Sequence, residues 1–292
     1  MDAIACPPPS RCRPEATRWR SLERLCLDAL AREAAAWPKP GLVSPVDTGS
    51  HRDMDYASFV ASIDALEGYF AAIAEAGAAD ADFAILQQLG REAEARMLAA
   101  TGGANTHRGA IFNLGLLAAA AALRTCESAF AGMNCGQIVA RRWGAAILAS
   151  RPAAPASHGN AVYRRFAAGG AREEAAAGFP SVYRVGRPVL RALLEAGIGE
   201  EQALIGSLLA LMAHLPDTNL LWRGGEPGLA HVRAEAQAFN TAGGVAQPDW
   251  QMRLVGLHRD FVARNLSPGG AADLVAAAWV VHHLDTGVGP RR

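Results

Sequence analysis

The run Thr101-Gly102-Gly103-Ala104-Asn105-Thr106-His107-Arg108-Gly109-Ala110-Ile111-Phe112 gathers two glycines, an amide, a hydroxyl, an imidazole and a guanidinium where one helical pattern stops and another starts. A helix N-terminus offers unpaired backbone N–H groups and the positive end of the helix dipole. Glycine lets the backbone approach a ligand closely and adopt positive φ. With His107 and Arg108 added, the segment reads as an anion cradle suited to phosphate. The same letters also suit an ordinary helix end followed by a capped helix start. The segment is not a P-loop, because the G-x-x-x-x-G-K-[ST] spacing is absent and no strand precedes it.

Other residues able to do chemistry fall in similar stretches. Asp53 and Asp55 stand at a helix start, where they serve as caps or as metal ligand and base. His51-x-Asp53-x-Asp55 has metal-ligand types without a further partner in sequence. Asp217-Thr218-Asn219 follows an apolar helix. A cap explains Asp217, but Asn219 and Arg223-Gly224-Gly225 close by favour a site. Glu92 and Glu94 lie two apart on a helix, so at most one faces the site. Ser267-Pro268 makes a good helix start, and the Gly269-Gly270 after it is costly in a first turn. His282 and His283 read as charges complementing a helix C-terminus.

Lys39 is the only lysine in a chain rich in alanine and arginine. Lys39, Arg52, His107, Arg108, Arg172 and Arg223 would supply positive charge. Asp53, Asp55, Glu94, Asp217 and Asp273 would supply hard oxygen ligands. Both kinds around glycine loops suit a Mg²⁺–polyphosphate substrate, and hence chemistry on a nucleotide.

These stretches are connections between helices. Leu22, Leu25, Cys26 and Ala29 share one face of a helix from about Thr17 to before Pro38. A second pattern runs from Tyr56 through Phe70 and stops at Gly77. A third runs from Phe83 to Met97 and stops at Gly102. Further helices are predicted over 106–123, 135–149, 158–168, 181–196, 200–214, 227–241, 248–264 and 268–284, with Pro188 dividing or kinking its helix. Arg151–Ala156 reads as a linker. No segment alternates with period two, and no repeat is evident. The expected fold is all-α: a flexible tail over 1–16 and a single multi-helix catalytic domain over 17–292, its site built from five interhelical loops.

The 292 residues carry 28 basic and 28 acidic side chains. That neutral balance argues against a general nucleic-acid binder. Cys6, Cys12, Cys26, Cys126 and Cys135 are odd in number without metal spacing, which suits a reducing cytoplasm. The N-terminus has no apolar core of a secretory signal, and the apolar run Leu114 to Leu123 is too short to span a bilayer. The expected location is cytoplasmic, away from membrane.

The ordered set Lys39-Pro40-Gly41-Leu42-Val43, Gly49-Ser50-His51-Arg52-Asp53-Met54, the Thr101–Phe112 run, Gly178-Phe179-Pro180, Asp217-Thr218-Asn219 with Arg223-Gly224-Gly225, and Ser267 to Leu274 resembles the triphosphoribosyl-dephospho-CoA synthase family over about residues 20–285. One departure is Arg108, where many members are expected to have lysine. Both are cationic but differ in geometry.

The resemblance implies transfer of the 5-triphosphoribosyl group of ATP to the 2′-hydroxyl of 3′-dephospho-CoA, with adenine leaving. The product would be the prosthetic-group precursor for the acyl carrier subunit of malonate decarboxylase or citrate lyase, with malonate decarboxylase favoured. It would pass to a maturation transferase acting on that carrier. Homo-oligomerisation is left open. On this reading Gly102, Gly103, Asn105, Thr106 and Arg108, with Lys39, hold the triphosphate. Asp217, with Asp53 or Glu94, holds Mg²⁺ or acts as base, and His107 takes part in catalysis. Arg172 and Arg223 bind the second substrate's phosphates, and Arg52 and Asn219 contact substrate. The competing readings are a Mg²⁺-dependent nucleotide hydrolase and a non-catalytic nucleotide sensor.

Overall fold

A computed structural model describes residues 18–150 and 169–286. The tail 1–16, the linker Arg151–Ala156 and the helix expected over 158–168 lie outside the described residues. Among the described residues there are twelve α-helices and no strand, arranged as one globular domain.

The helices are α1 (Arg20–Ala35), α2 (Tyr56–Ala65), α3 (Tyr69–Ala78), α4 (Phe83–Ala100), α5 (Arg108–Cys126), α6 (Cys135–Ala149), α7 (Ala171–Ala176), α8 (Arg187–Glu195), α9 (Glu200–His214), α10 (Thr218–Thr241), α11 (Trp250–Ala263) and α12 (Gly269–Thr286). Three of them form the centre. In α5 every residue from Asn113 to Leu123 is buried, and in α9 every residue from Ala203 to Ala213. Helix α12 packs on both and on α1. A helix apolar all round belongs in such a position. Helix α5 is long and apolar enough to cross a bilayer, yet 72% of its most apolar window is buried inside the protein. The run Leu114 to Leu123 is thus part of a longer core helix.

Glycines set the closest approach. A Cβ on Gly77 would lie 2.3 Å from the Ala119 carbonyl oxygen, and one on Gly115 would lie 2.2 Å from the Tyr69 hydroxyl. Gly77 is both a helix-packing contact and, with Ala78, the last turn of α3, so the expected stop there holds to within one residue. A further break comes earlier. Gly68, at φ 83°, splits the expected single helix into α2 and α3, bent by 43°.

Two expected loops are helical. Gly170–Glu174 opens the short α7. Asp217–Arg223 is the first part of α10, which breaks where Gly225 adopts φ 61° and ψ −164°. The 181–196 segment divides as expected: a π-turn over Val182–Gly186 precedes α8, whose first turn contains Pro188.

Candidate active site

The N-termini of α5, α10 and α12 meet at one cavity of about 1820 Å³, and all five polar stretches contribute to its wall. Three helix dipoles thus present their positive ends to one space, which suits an anionic ligand.

Asp217 ties two of these helices together. As N-cap of α10, its Oδ1 accepts from the backbone N–H of Asn219 at 2.8 Å and of Leu220 at 3.4 Å. Its Oδ2 accepts from Ala271 N–H of α12 at 3.0 Å. Both readings of Asp217 therefore meet in one side chain: it caps, and it lines the cavity. Burial pushes its carboxyl up to about 6, against the opposing pull of backbone N–H groups from Ala271, Asn219, Leu220 and Gly270.

Asp273 repeats the device one turn along α12. It takes a hydrogen bond from the Ala110 backbone N–H at the start of α5. A Cβ on Gly109 would stand 2.0 Å from its Oδ2, so only glycine admits the carboxylate there. Burial, then the charges of Glu33 and Asp217, raise its carboxyl well above the usual range. Glu33 in turn pairs with Lys39 at 2.7 Å, and the same ammonium donates to the Glu33 carbonyl oxygen. Lys39 is only 1% exposed and lines the cavity beside Glu33. The buried lysine thus pairs with one carboxylate, Glu33, whose charge in turn acts on Asp273.

His107 is 2% exposed. Its Nδ1 lies 2.6 Å from Ser62 Oγ, and its ring packs edge-on against Phe59. Its Nε2 is buried without a partner. Burial, with the Lys39 charge beside it, pushes its pKa down to about 3. His107 is therefore a neutral imidazole. The sequence reading counted it among the positive charges, and desolvation overrides that.

The arginines are held by neighbours. Arg108 meets Glu94 at 2.5 Å, both partly exposed, whereas Glu92 pairs with Gln88 on the exposed side of α4. Arg172 donates to Ser150 Oγ at 2.6 Å and lies over the Phe112 ring. Arg223 donates to the Ser50 carbonyl and Asn265 Oδ1 and lies 3.2 Å from His51 Nδ1. His51 Nε2 reaches Ser267 Oγ at 2.9 Å. Arg223 thus clasps the first loop to the α11–α12 junction, with its side chain still on the cavity wall.

The other candidates divide. Gly103, Asn105, Thr106 and Asn219 line the cavity, and Asn105 caps the Arg108 backbone N–H at 3.2 Å. Gly102 and Arg52 stand outside the wall. Gly102 supplies the left-handed turn (φ 63°) that ends α4, and Arg52 is exposed to solvent. Asp55 is an exposed cap of α2 in a reciprocal box with Ser58.

The model of the ATP:dephospho-CoA triphosphoribosyl transferase family (CitG) matches residues 19–292. The chain belongs to that family. It is 42% identical over 282 residues to "Probable 2-(5''-triphosphoribosyl)-3'-dephosphocoenzyme-A synthase" of Pseudomonas paraeruginosa, covering 94% of each chain. It is 39% identical over 275 residues to 2-(5''-triphosphoribosyl)-3'-dephosphocoenzyme-A synthase of Pectobacterium atrosepticum, covering 88% of this chain and 87% of the other. No solved structure matches. The triphosphoribosyl transferase assignment makes the chain an enzyme, and the cavity just described is its candidate active site.

For this triphosphoribosyl transferase, metal binding was expected at Asp53, Glu94 and Asp217. Among the described residues no three His, Cys, Asp or Glu side chains are grouped to hold a metal ion. Glu94 faces Arg108, Asp217 accepts from backbone N–H groups, and Asp53 is largely solvent-exposed beside His51. The three line one cavity without forming a ready-made cage.

Two wall residues escaped the sequence reading. Glu33 lies on the apolar face of α1, four positions after Ala29 and three after Leu30. A charge on that stripe was the available signal, since such groups are rarely buried unless paired. Asn113 interrupts the apolar run of α5. It is 1% exposed, and its Oδ1 has no partner.

Proposed function

We propose that this enzyme transfers the 5-triphosphoribosyl group of ATP to the 2′-hydroxyl of 3′-dephospho-CoA, using the cavity where α5, α10 and α12 begin. The observation that carries the reading is the buried carboxylate pair Asp217 and Asp273 within a ring of helix N-termini. The volume supports it too: about 1820 Å³ exceeds the ~300–1,000 Å³ usual for one small ligand, leaving room for two nucleotides.

The reaction breaks the ribose C1′–N9 bond, whose electron pair leaves with adenine. It forms a bond from C1′ to the acceptor oxygen, and the hydroxyl proton passes in net to adenine. Asp217, near 6, suits removal of the hydroxyl proton at neutral pH. Asp273, whose carboxyl is raised well above the usual range by burial and by the charges of Glu33 and Asp217, suits donation toward the departing base. Two carboxyls whose environments set different proton affinities are the usual basis for such a division. An ionised Asp217 also stabilises positive charge developing on the ribose ring.

The chain's grip on the triphosphate would come from the first turn of α5, Thr106, Arg108 and Lys39. Arg172 and Arg223 would face the second substrate. Mg²⁺ would enter as the companion of the ATP phosphates, and no step above uses it. We take the acyl carrier subunit of malonate decarboxylase as the product's destination, through a maturation transferase. The test is whether product made here charges that carrier or the citrate lyase carrier. ATP and dephospho-CoA are intracellular metabolites, which supports a cytoplasmic setting.

The deciding experiment incubates the enzyme with ATP, Mg²⁺ and 3′-dephospho-CoA and follows products by mass spectrometry. Free adenine and a triphosphoribosyl adduct, both dependent on dephospho-CoA, are expected. Release of ADP, AMP or phosphate without an adduct would replace transfer by hydrolysis.

A further inference from the structure

Asn113 has no structural task that accounts for it. It opens the fully buried stretch of α5, followed without a break by apolar residues as far as Leu123, and it is 1% exposed with no partner on Oδ1. A buried amide oxygen left unpaired costs stability, so its retention implies a partner absent from the folded chain alone. The side chain belongs to the cavity wall. It follows Gly109 by four residues and therefore lies one turn deeper on the same helix face. Gly109 is where the Asp273 carboxylate sits. Leu30, Ile73, Phe112 and Leu116 line the same cavity, and Leu116 follows Asn113 by three residues on the helix surface. An unpaired amide one turn from the Asp273 contact, on a wall that also carries apolar side chains, suits a flat heteroaromatic group with a polar edge.

We propose that Asn113 reads the amino edge of the departing adenine. Its Oδ1 accepts from the exocyclic N6 amine, and its Nδ2–H donates to N7. This is the bidentate pairing by which asparagine distinguishes adenine from bases carrying an oxygen at that position. The donation to N7 also stabilises the charge that gathers on the ring as the C1′–N9 bond breaks. The inference rests on the adenine-releasing transfer above, but its test does not need turnover.

The test is calorimetric binding of ATP, ITP and 7-deaza-ATP, each with Mg²⁺ and without dephospho-CoA. ITP replaces the amine by a carbonyl, and 7-deaza-ATP removes N7 alone. The wild-type enzyme is expected to bind each analogue at least about tenfold more weakly than ATP. Asn113→Leu is expected to bind all three alike, at the level of the wild type with ITP. Equal binding of the three by the wild type would overturn the role of Asn113 while leaving the transfer intact. So would a preference for ATP that survives in Asn113→Leu. Absence of any ATP binding would overturn both readings. If the leucine variant fails to fold, Asn113→Asp, which keeps the size and an Oδ acceptor but loses the donor to N7, is expected to lose the discrimination between ATP and 7-deaza-ATP, and retention of it would overturn the role.

Discussion

Asp217 Oδ2 lies 3.0 Å from the Ala271 backbone nitrogen, so one carboxylate closes the N-termini of two helices distant in sequence. Asp273, within α12, accepts from the Ala110 backbone N–H at the start of α5. The chain of contacts runs from α10 through Asp217 to α12, and through Asp273 to α5. Carboxylates built this way are held by the fold's own unpaired donors, which keeps them rigid.

Asp217→Asn keeps the shape and still accepts N–H bonds through Oδ1 but loses the charge. Transfer should fall by at least ~10²-fold if Asp217 is the base. In the wild type, kcat/KM should rise as pH passes about 6, because the base works only when ionised. Stability has the opposite sign. The folded pKa exceeds the ordinary 3.8, so the folded state holds the proton more tightly, and this contribution is lost as pH rises from 3.8 to about 6. Asp217→Asn should therefore flatten the melting temperature over that window. Full activity in a folded Asp217→Asn enzyme would remove Asp217 from the chemistry.

His107 should act as a neutral group throughout the physiological range. Its pKa falls from 6.5 to about 3 on folding, so stability is lost as pH falls between those values. ATP affinity should show no step near pH 6.5 that His107→Gln removes. Such a step would mean that imidazolium binds the phosphates. His107→Ala should weaken ATP binding or slow transfer without unfolding the chain.

Lys39 and Glu33 form the buried ion pair of the site. Lys39→Met leaves Glu33 uncompensated and should cost about 3–5 kcal/mol of stability, read by denaturant unfolding. The double variant Lys39→Met with Glu33→Gln should recover most of that loss. If the double variant folds and still binds ATP as the wild type does, Lys39 has only a structural role.

Gly109→Ala should act through Asp273. The added methyl would meet Asp273 Oδ2 at 2.0 Å, so the carboxylate or the start of α5 must move. Activity should fall more than stability. Gly270→Ala, whose methyl would meet Asp217 at 3.0 Å, should have the milder effect. Equal and small losses in both would show that the two carboxylates have room to shift.

The helices were legible because burial of one face writes a 3.6-residue period into the chain, and α6 and α9 have the bounds which that period predicted. The five polar stretches were legible because glycine, proline and capping residues punctuate such a period. The ordered motifs carried the family. Local letters did not determine where the period misleads. Tyr56 to Gly77 reads as one helix but is divided at Gly68, and Thr218–Arg223 reads as loop but is helix. Nor did they determine charge. His107 reads as a cation and is neutral because Lys39 and burial surround it. Glu33 went unread and is the partner of Lys39. Proton affinity depends on what lies within a few ångströms and on how much water is excluded. Charge links Glu33 and Asp217 to Asp273, and Lys39 to both Glu33 and His107, links that only the packing of α1, α5, α10 and α12 creates. Sequence determined which residues were available for chemistry, and tertiary structure decided which of them are charged, paired or left open to a substrate.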